Sequence, residues 1–132
     1  MNKFKVWCKN KNEWEKDECA LIRDGKLIEL KSGKEMLLKN HSIHNDVGIT
    51  DIYGVNIYLE SSIFEFYKCS LDGHKEKIEA FLRESSPMIF QIVVLNNNIW
   101  NILYWHEFRH SIENIRIIDT IQENKLGLIN EQ

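Results

Sequence analysis

The stretch Val47–Lys68, VGITDIYGVNIYLESSIFEFYK, decides how the rest of the chain is read. Gly48 and Gly54 stand where a backbone can take φ > 0 without Cβ strain, and the Asp51 carboxylate is placed to fold back onto nearby backbone amides and fix a bend. Val55, Ile57, Tyr58, Ile63, Phe64, Phe66 and Tyr67 follow. That density of β-branched and aromatic residues suits a pleated, half-buried surface better than a helix. The stretch reads as a turn between strands.

Upstream, Lys3 to Trp7 alternates as a first strand, with Phe4 and Val6 on one face and Trp7 on the other, and Asn10 to Asn12 marks a turn. Asp24-Gly25 separates the apolar-containing runs 19–22 and 26–30, a strong short-range signal for a β-hairpin, and Lys31-Ser32-Gly33 closes it. Glu35 to Leu38 is too short to choose between a strand and a turn of helix. Downstream, Asp72 is a candidate helix cap, and Ile78, Phe81 and Leu82 form an i, i+3, i+4 stripe, which predicts a short helix over 75–84 stopped by Ser85-Ser86-Pro87. Residues 88–95 and 99–105 flank Asn96-Asn97-Asn98 and predict a second hairpin, residues 115–121 a last strand, and the tail from Asn124 a frayed end.

At 132 residues, 43% of them hydrophobic, with four Trp, four Tyr and six Phe, the chain is long enough to bury a core without disulfide staples. Cys8, Cys19 and Cys69 are odd in number, widely spaced and without a C-x-x-C pair, so reduced structural thiols are expected. No apolar run approaches the roughly 20 residues of a membrane span, and the opening MNKFKVW lacks the apolar region of a signal peptide, so a location in the bacterial cytoplasm is expected. The formal net charge is −3. Lys3, Lys5, Lys9, Lys11 and Lys16 are interleaved with Glu13, Glu15, Asp17 and Glu18, a solvated pattern rather than the cationic footprint that nucleic-acid affinity needs.

Two histidine patterns raise metal chemistry. His41 and His44 stand at i, i+3 beside Asp46, but a ligand set needs further donors that sequence does not supply, so they are expected as solvent-exposed loop residues. His106-Glu107-Phe108-Arg109-His110 is a literal H-E-x-x-H. In zinc peptidases the two His lie one helical turn apart and the Glu serves as general base, with Glu113 or Glu123 a conceivable third ligand here. The approach through Ile99, Trp100, Asn101 and Tyr104 favours a strand, on which the two His would lie roughly 13 Å apart and could not share an ion.

The central stretch resembles the YopX family of phage and prophage proteins. Gly48, Ile49, Asp51, Gly54, Ile57, Tyr58, Ser62, Ile63 and Phe66 match its motif in order, with Ser62 where the family more often has Asp. Phe4-Lys5-Val6-Trp7 is similar to the family's opening block, and Ile115 to Asn124 (IRIIDTIQEN) to its closing one, with Asp119-Thr120 in place of Gly-Asn. The resemblance implies a mainly β protein with an SH3-like, partly closed barrel in its second half and a tendency to homo-oligomerise. The expected organisation is a single domain over 1–132, with an N-terminal β subregion (1–46) and a barrel-like subregion (47–132) carrying a helical insertion near 72–86. The expected function is that of a non-enzymatic accessory protein acting by protein–protein association. A zinc hydrolase built on the HEFRH motif and a nucleic-acid-binding barrel presenting Trp100 and Tyr104 are the alternatives. No catalytic, cofactor-binding or metal-ligating residue is assigned, and no cofactor is expected.

Overall fold

The computed structural model describes residues 4–69, 71–86, 89–96, 99–104 and 113–129, and these are mainly β: curled antiparallel sheets forming a half-barrel. Two compact units divide the chain, residues 1–45 and 46–132.

In the first unit β1 (Phe4–Cys8) pairs with β2 (Glu13–Trp14) on one side and with the first half of β6 (His41–Thr50) on the other. Asn12, at φ 56°, makes the β1–β2 turn, a conformation Asn tolerates better than most residues. The pleat sends Phe4 and Val6 to the face that meets Leu27, Met36 and Ile43. Trp7 goes to the opposite face, where it meets Trp14 edge to face at 5.0 Å. A second sheet of three strands holds the predicted hairpin, with β3 (Cys19–Leu21) paired to β4 (Leu27–Glu29) and β4 to β5 (Glu35–Met36). Gly25 at φ 77° turns that hairpin, and its N–H donates to Ile22 O at 2.9 Å. The ambiguous run 35–38 resolves into both candidates in succession: β5, and then a 3₁₀ turn over Leu38–Asn40.

In the second unit the other half of β6 pairs with β7 (Asn56–Tyr58), and the register shift between Asp46 and Thr50 falls where Gly48 takes φ 78°. The main sheet has the order β11-β10-β9-β8-β12, built from β8 (Ser62–Cys69), β9 (Lys75–Ser86), β10 (Ile89–Asn96), β11 (Ile99–Tyr104) and β12 (Glu113–Thr120). Four strands meander, and the fifth returns to lie beside the first of them. The predicted hairpin at the Asn run is present, with Asn96 opposite Ile99; Asn97 and Asn98 lie outside the described residues.

The predicted helix over 75–84, and with it the helical insertion near 72–86, is replaced by strand β9, paired along one edge to β8 and along the other to β10. The segment KEKIEAFLRE is rich in strong helix formers, but propensity amounts to only about 0.7 kcal/mol per ordinary residue and yields to tertiary burial. Ile78, Ala80 and Leu82 alternate at period two into the core with Phe64, Phe66, Ile92 and Val94. As a helix, the same residues would leave the inner edges of β8 and β10 unpaired. Asp72 does not cap a helix; it accepts the His74 N–H at 3.1 Å beside Gly73 at φ 83°, forming the turn of the β8–β9 hairpin.

The tail is pinned as far as Ile129 rather than frayed. Asn124 and Ile129 exchange two hydrogen bonds through the Asn124 side chain, and the Leu126 N–H donates to the buried Asp119 carboxylate at 2.9 Å. Among the described residues no helix is long and apolar enough to cross a membrane.

The strand assignment of 75–86 makes a direct prediction. Leu82, fully buried on the inner face of β9, should cost about 2–5 kcal/mol when replaced by Ala, read by urea denaturation. Lys77→Ala, at an exposed position of the same strand, should change stability by about 0.5 kcal/mol or less.

Candidate functional site

The central turn is a hydrogen-bonded cage around one carboxylate. Asp51 is buried, and its Oδ1 accepts the N–H groups of Tyr53 and Val55, each at 2.9 Å. Its Oδ2 accepts the Ile117 N–H from β12 at 3.1 Å, across 66 residues of sequence. The backbone adds the Asp51 N–H to Val55 O at 2.9 Å, the Gly54 N–H to Asp51 O at 3.1 Å and the Ile52 N–H to Ile115 O at 2.9 Å. Gly54 completes the loop at φ 80°, in open space but in a region where a β-branched side chain is strained. The turn is thus tied to itself and, by two bonds of opposite sense, to the edge strand β12.

Burial alone would raise the Asp51 pKa. The N–H groups of Val55, Ile117 and Tyr53 oppose it by solvating the charged form, and the net displacement is below the ordinary 3.8. What this cage holds out to solvent is apolar: Tyr53 is 70% exposed, Ile52 52% and Val55 50%. Three large apolar side chains on five residues of fixed backbone form a display that costs little further ordering when a partner covers it.

The candidates raised by sequence are dispersed. His41 and His44 are not solvent-exposed loop residues. Both lie in β6, three residues apart, and the pleat sends them to opposite faces. His44 is buried, 2.8 Å from Ser42 Oγ through Nε2 and edge to face with Trp14 at 5.7 Å, while Lys5 lies over that same indole at 4.9 Å. His41 turns to the other face, where it meets Cys8, its direct cross-strand partner, and Glu15. The missing donors are therefore brought to His41 from β1 and from just beyond β2, a conjunction no local spacing announces.

Cys19 packs beside Met36, with its Sγ 3.4 Å from Met36 Sδ. Burial, and after it the carboxylates of Glu15, Glu29 and Asp17, push its thiol above the ordinary 9.0, which keeps it protonated and inert at neutral pH. Cys69 closes β8. Strand β11 runs through Trp100 to Tyr104, while His106, Glu107 and His110 lie outside the described residues. The apolar display of Ile52, Tyr53 and Val55 was not singled out from sequence as a surface, since an apolar residue in a turn and one in a core look alike in a linear pattern. The pairing of Asp51 with Gly54 across a tight loop was the available signal.

Comparison of the chain with protein-family models, with curated proteins and with solved structures finds no match.

The cage sets a pH dependence. A carboxylate with a depressed folded pKa contributes stability that is fully present above 3.8 and is lost as pH falls through the lower, folded value. Asp51→Asn keeps an acceptor for Tyr53 and Val55 but turns an amide donor toward the Ile117 N–H. It should lose about 1–3 kcal/mol at neutral pH, and the gap to the parent should narrow as pH falls below 3.8, followed by urea melts across an acid series. Gly54→Val should lose about 1–2 kcal/mol with no such pH dependence.

Proposed function

We propose that this chain is a non-enzymatic accessory protein of the YopX type, encoded by phage or prophage and acting in the bacterial cytoplasm through protein–protein association, with a second copy of itself as the partner. The observation that carries this reading is the Asp51 cage, which fixes Ile52, Tyr53 and Val55 in an exposed, preorganised cluster. Aromatic anchors on rigid backbone dominate association energies, because little conformational freedom remains to be lost. The sheet adds support. Among the described residues strand β11 stands at the edge of the main sheet opposite β12, whose outer groups at Ile115 and Ile117 are taken by the Asp51 turn, and an edge strand carries backbone groups suited to pairing with another chain. A two-fold or higher closed rotation would cover the same patch on every copy, which limits growth to a discrete oligomer.

Of the residues that match the YopX motif, Asp51 and Gly54 lie in this cage, and the closing block contains Ile115 and Ile117, through which β12 holds it.

Light scattering on the purified chain at micromolar concentration tests the proposal. The expected mass is two or more times 15.7 kDa, reduced to 15.7 kDa in the double variant Ile52→Ser, Tyr53→Ser. Both side chains are more than half exposed, so their replacement should shift folding stability by about 0.5 kcal/mol or less, and loss of assembly cannot be ascribed to unfolding. A parent mass of 15.7 kDa overturns the proposal.

A further inference from the structure

Cys8, Glu15 and His41 come from three elements of the first unit and converge on one face of its sheet. The β1–β6 register places Cys8 directly opposite His41, and the Glu15 N–H donates to Val6 O at 2.9 Å, extending the β1–β2 ladder by one residue. Residues 6 and 8 of β1 share a face, and so do their partners, so the pleat turns Cys8, Glu15 and His41 the same way. Their Sγ, carboxylate oxygen and ring nitrogen all lie within 4.8 Å of one another. Cys8 is buried, and the side chains of Glu15 and His41 are only 13% and 11% exposed.

The tautomer of His41 makes the cluster more than a proximity. Its Nδ1 lies 2.7 Å from the carbonyl oxygen of Leu37, which can only accept, so Nδ1 carries a proton. The 3₁₀ turn at Leu38–Asn40 fixes that carbonyl, and the His41 backbone N–H donates to Leu38 O at its end. Anchoring one ring nitrogen on a backbone carbonyl while the other points at anionic donors is the usual support for a metal-ligating imidazole. Nε2 then faces Glu15 Oε1 at 3.4 Å. With Nε2 unprotonated that contact sets a lone pair against a carboxylate, an arrangement relieved either by a proton on Nε2, which makes the pair an ion pair, or by a bound cation. A charge-assisted N–H···O bond closes to about 2.7–2.9 Å, whereas two N/O donors held at about 2.0–2.1 Å on a tetrahedral ion lie roughly 3.4 Å apart.

We propose that Cys8, Glu15 and His41 form a zinc site. Sulfur, nitrogen and carboxylate oxygen together select Zn²⁺ over the hard divalent cations, and the two anionic donors balance its charge. On binding, the Cys8 S–H bond breaks and its proton leaves to solvent. The sulfur then donates an electron pair to the metal, as do Nε2 and the Glu15 oxygen, and nothing is oxidised or reduced. Sγ closes on the ion by side-chain rotation, and the fourth position takes a water. Glu15 also borders a surface depression with Lys5, Lys16, Asp17 and Glu18.

A metal here would add to a small apolar core. The first unit spans 45 residues, and its buried apolar cluster among the described residues is Val6, Leu27 and Met36, flanked by the half-buried Phe4, Cys19 and Ile43. Units this small bury too little apolar surface to be secure without a staple, and a metal is one of the standard forms.

The test uses the full chain, stripped with a chelator and titrated with Zn²⁺ or with Co²⁺ as a spectroscopic stand-in. The expected result is one metal per chain, a thiolate-to-cobalt charge-transfer band that is absent in Cys8→Ser, and affinity for zinc weakened by more than about 100-fold in His41→Ala, beyond the usual cost of an outer-shell change. Glu15→Gln, at the partly exposed rim, should weaken binding while preserving the fold, so the site remains testable if Cys8→Ser destabilises the core. His106→Ala distinguishes this site from the H-E-x-x-H motif and should leave the stoichiometry unchanged. No metal bound by the folded parent overturns the proposal. So does zinc that survives both His41→Ala and Glu15→Gln, or that is lost only with His106.

Discussion

Everything distinctive in the second unit depends on where one negative charge is placed. Asp51 is removed from water, which is unfavourable for a carboxylate, and it remains ionised because three backbone N–H groups replace its hydration. Two of those donors lie within its own turn and one lies on β12, so the same carboxylate fixes the local bend and closes a contact across 66 residues. The consequence is a turn whose backbone is tied by hydrogen bonds while three of its side chains remain exposed and apolar.

That combination gives the association reading its physical content. An exposed apolar patch on a mobile loop loses much of its binding energy to ordering, and one on a fixed cage does not. The first unit applies a related principle with different chemistry. There the apolar cluster is small, and the buried polar residues on one sheet face are drawn from strands that the pleat aligns. A sheet converts separations of seven and twenty-six residues, from Cys8 to Glu15 and from Glu15 to His41, into a few ångströms, as a helix does for residues four apart.

The parts of the fold legible in sequence were those where one local rule acts alone. Asp24-Gly25 gave its hairpin, Phe4, Val6 and Trp7 divided between faces as their alternation required, and Gly48 and Gly54 took the positive φ expected of them. The segment 75–84 failed because two rules competed there. Its Lys, Glu, Ala, Leu and Arg favour a helix, and Ile78, Phe81 and Leu82 fit period 3.6, yet Ile78, Ala80 and Leu82 fit period two equally well. The deciding signal was Asp72-Gly73, a dipeptide of the same kind as the one at 24–25, read as a helix cap when it is a hairpin turn. The candidate sites were less legible for a geometric reason. Asp51 was recognisable as a turn residue from its neighbours, but its bond to Ile117 depends on how β12 returns to β8. His41 stands near His44 in the linear sequence but shares no face with it, whereas its neighbours in space come from β1 and the residue following β2.

The central claim is that the Asp51 carboxylate, and not the loop sequence alone, holds the displayed turn to the body of the second unit. Native-state amide hydrogen exchange at Tyr53, Val55 and Ile117 tests it most directly, because the three N–H groups converge on that one side chain. The account predicts that all three are protected to a common degree in the parent, approaching that of the core strands, and that all three lose protection together in Asp51→Ala while the amide of Leu82 does not. Fast exchange at Tyr53 and Val55 in the parent, or loss at those two with Ile117 still protected in the variant, would contradict it.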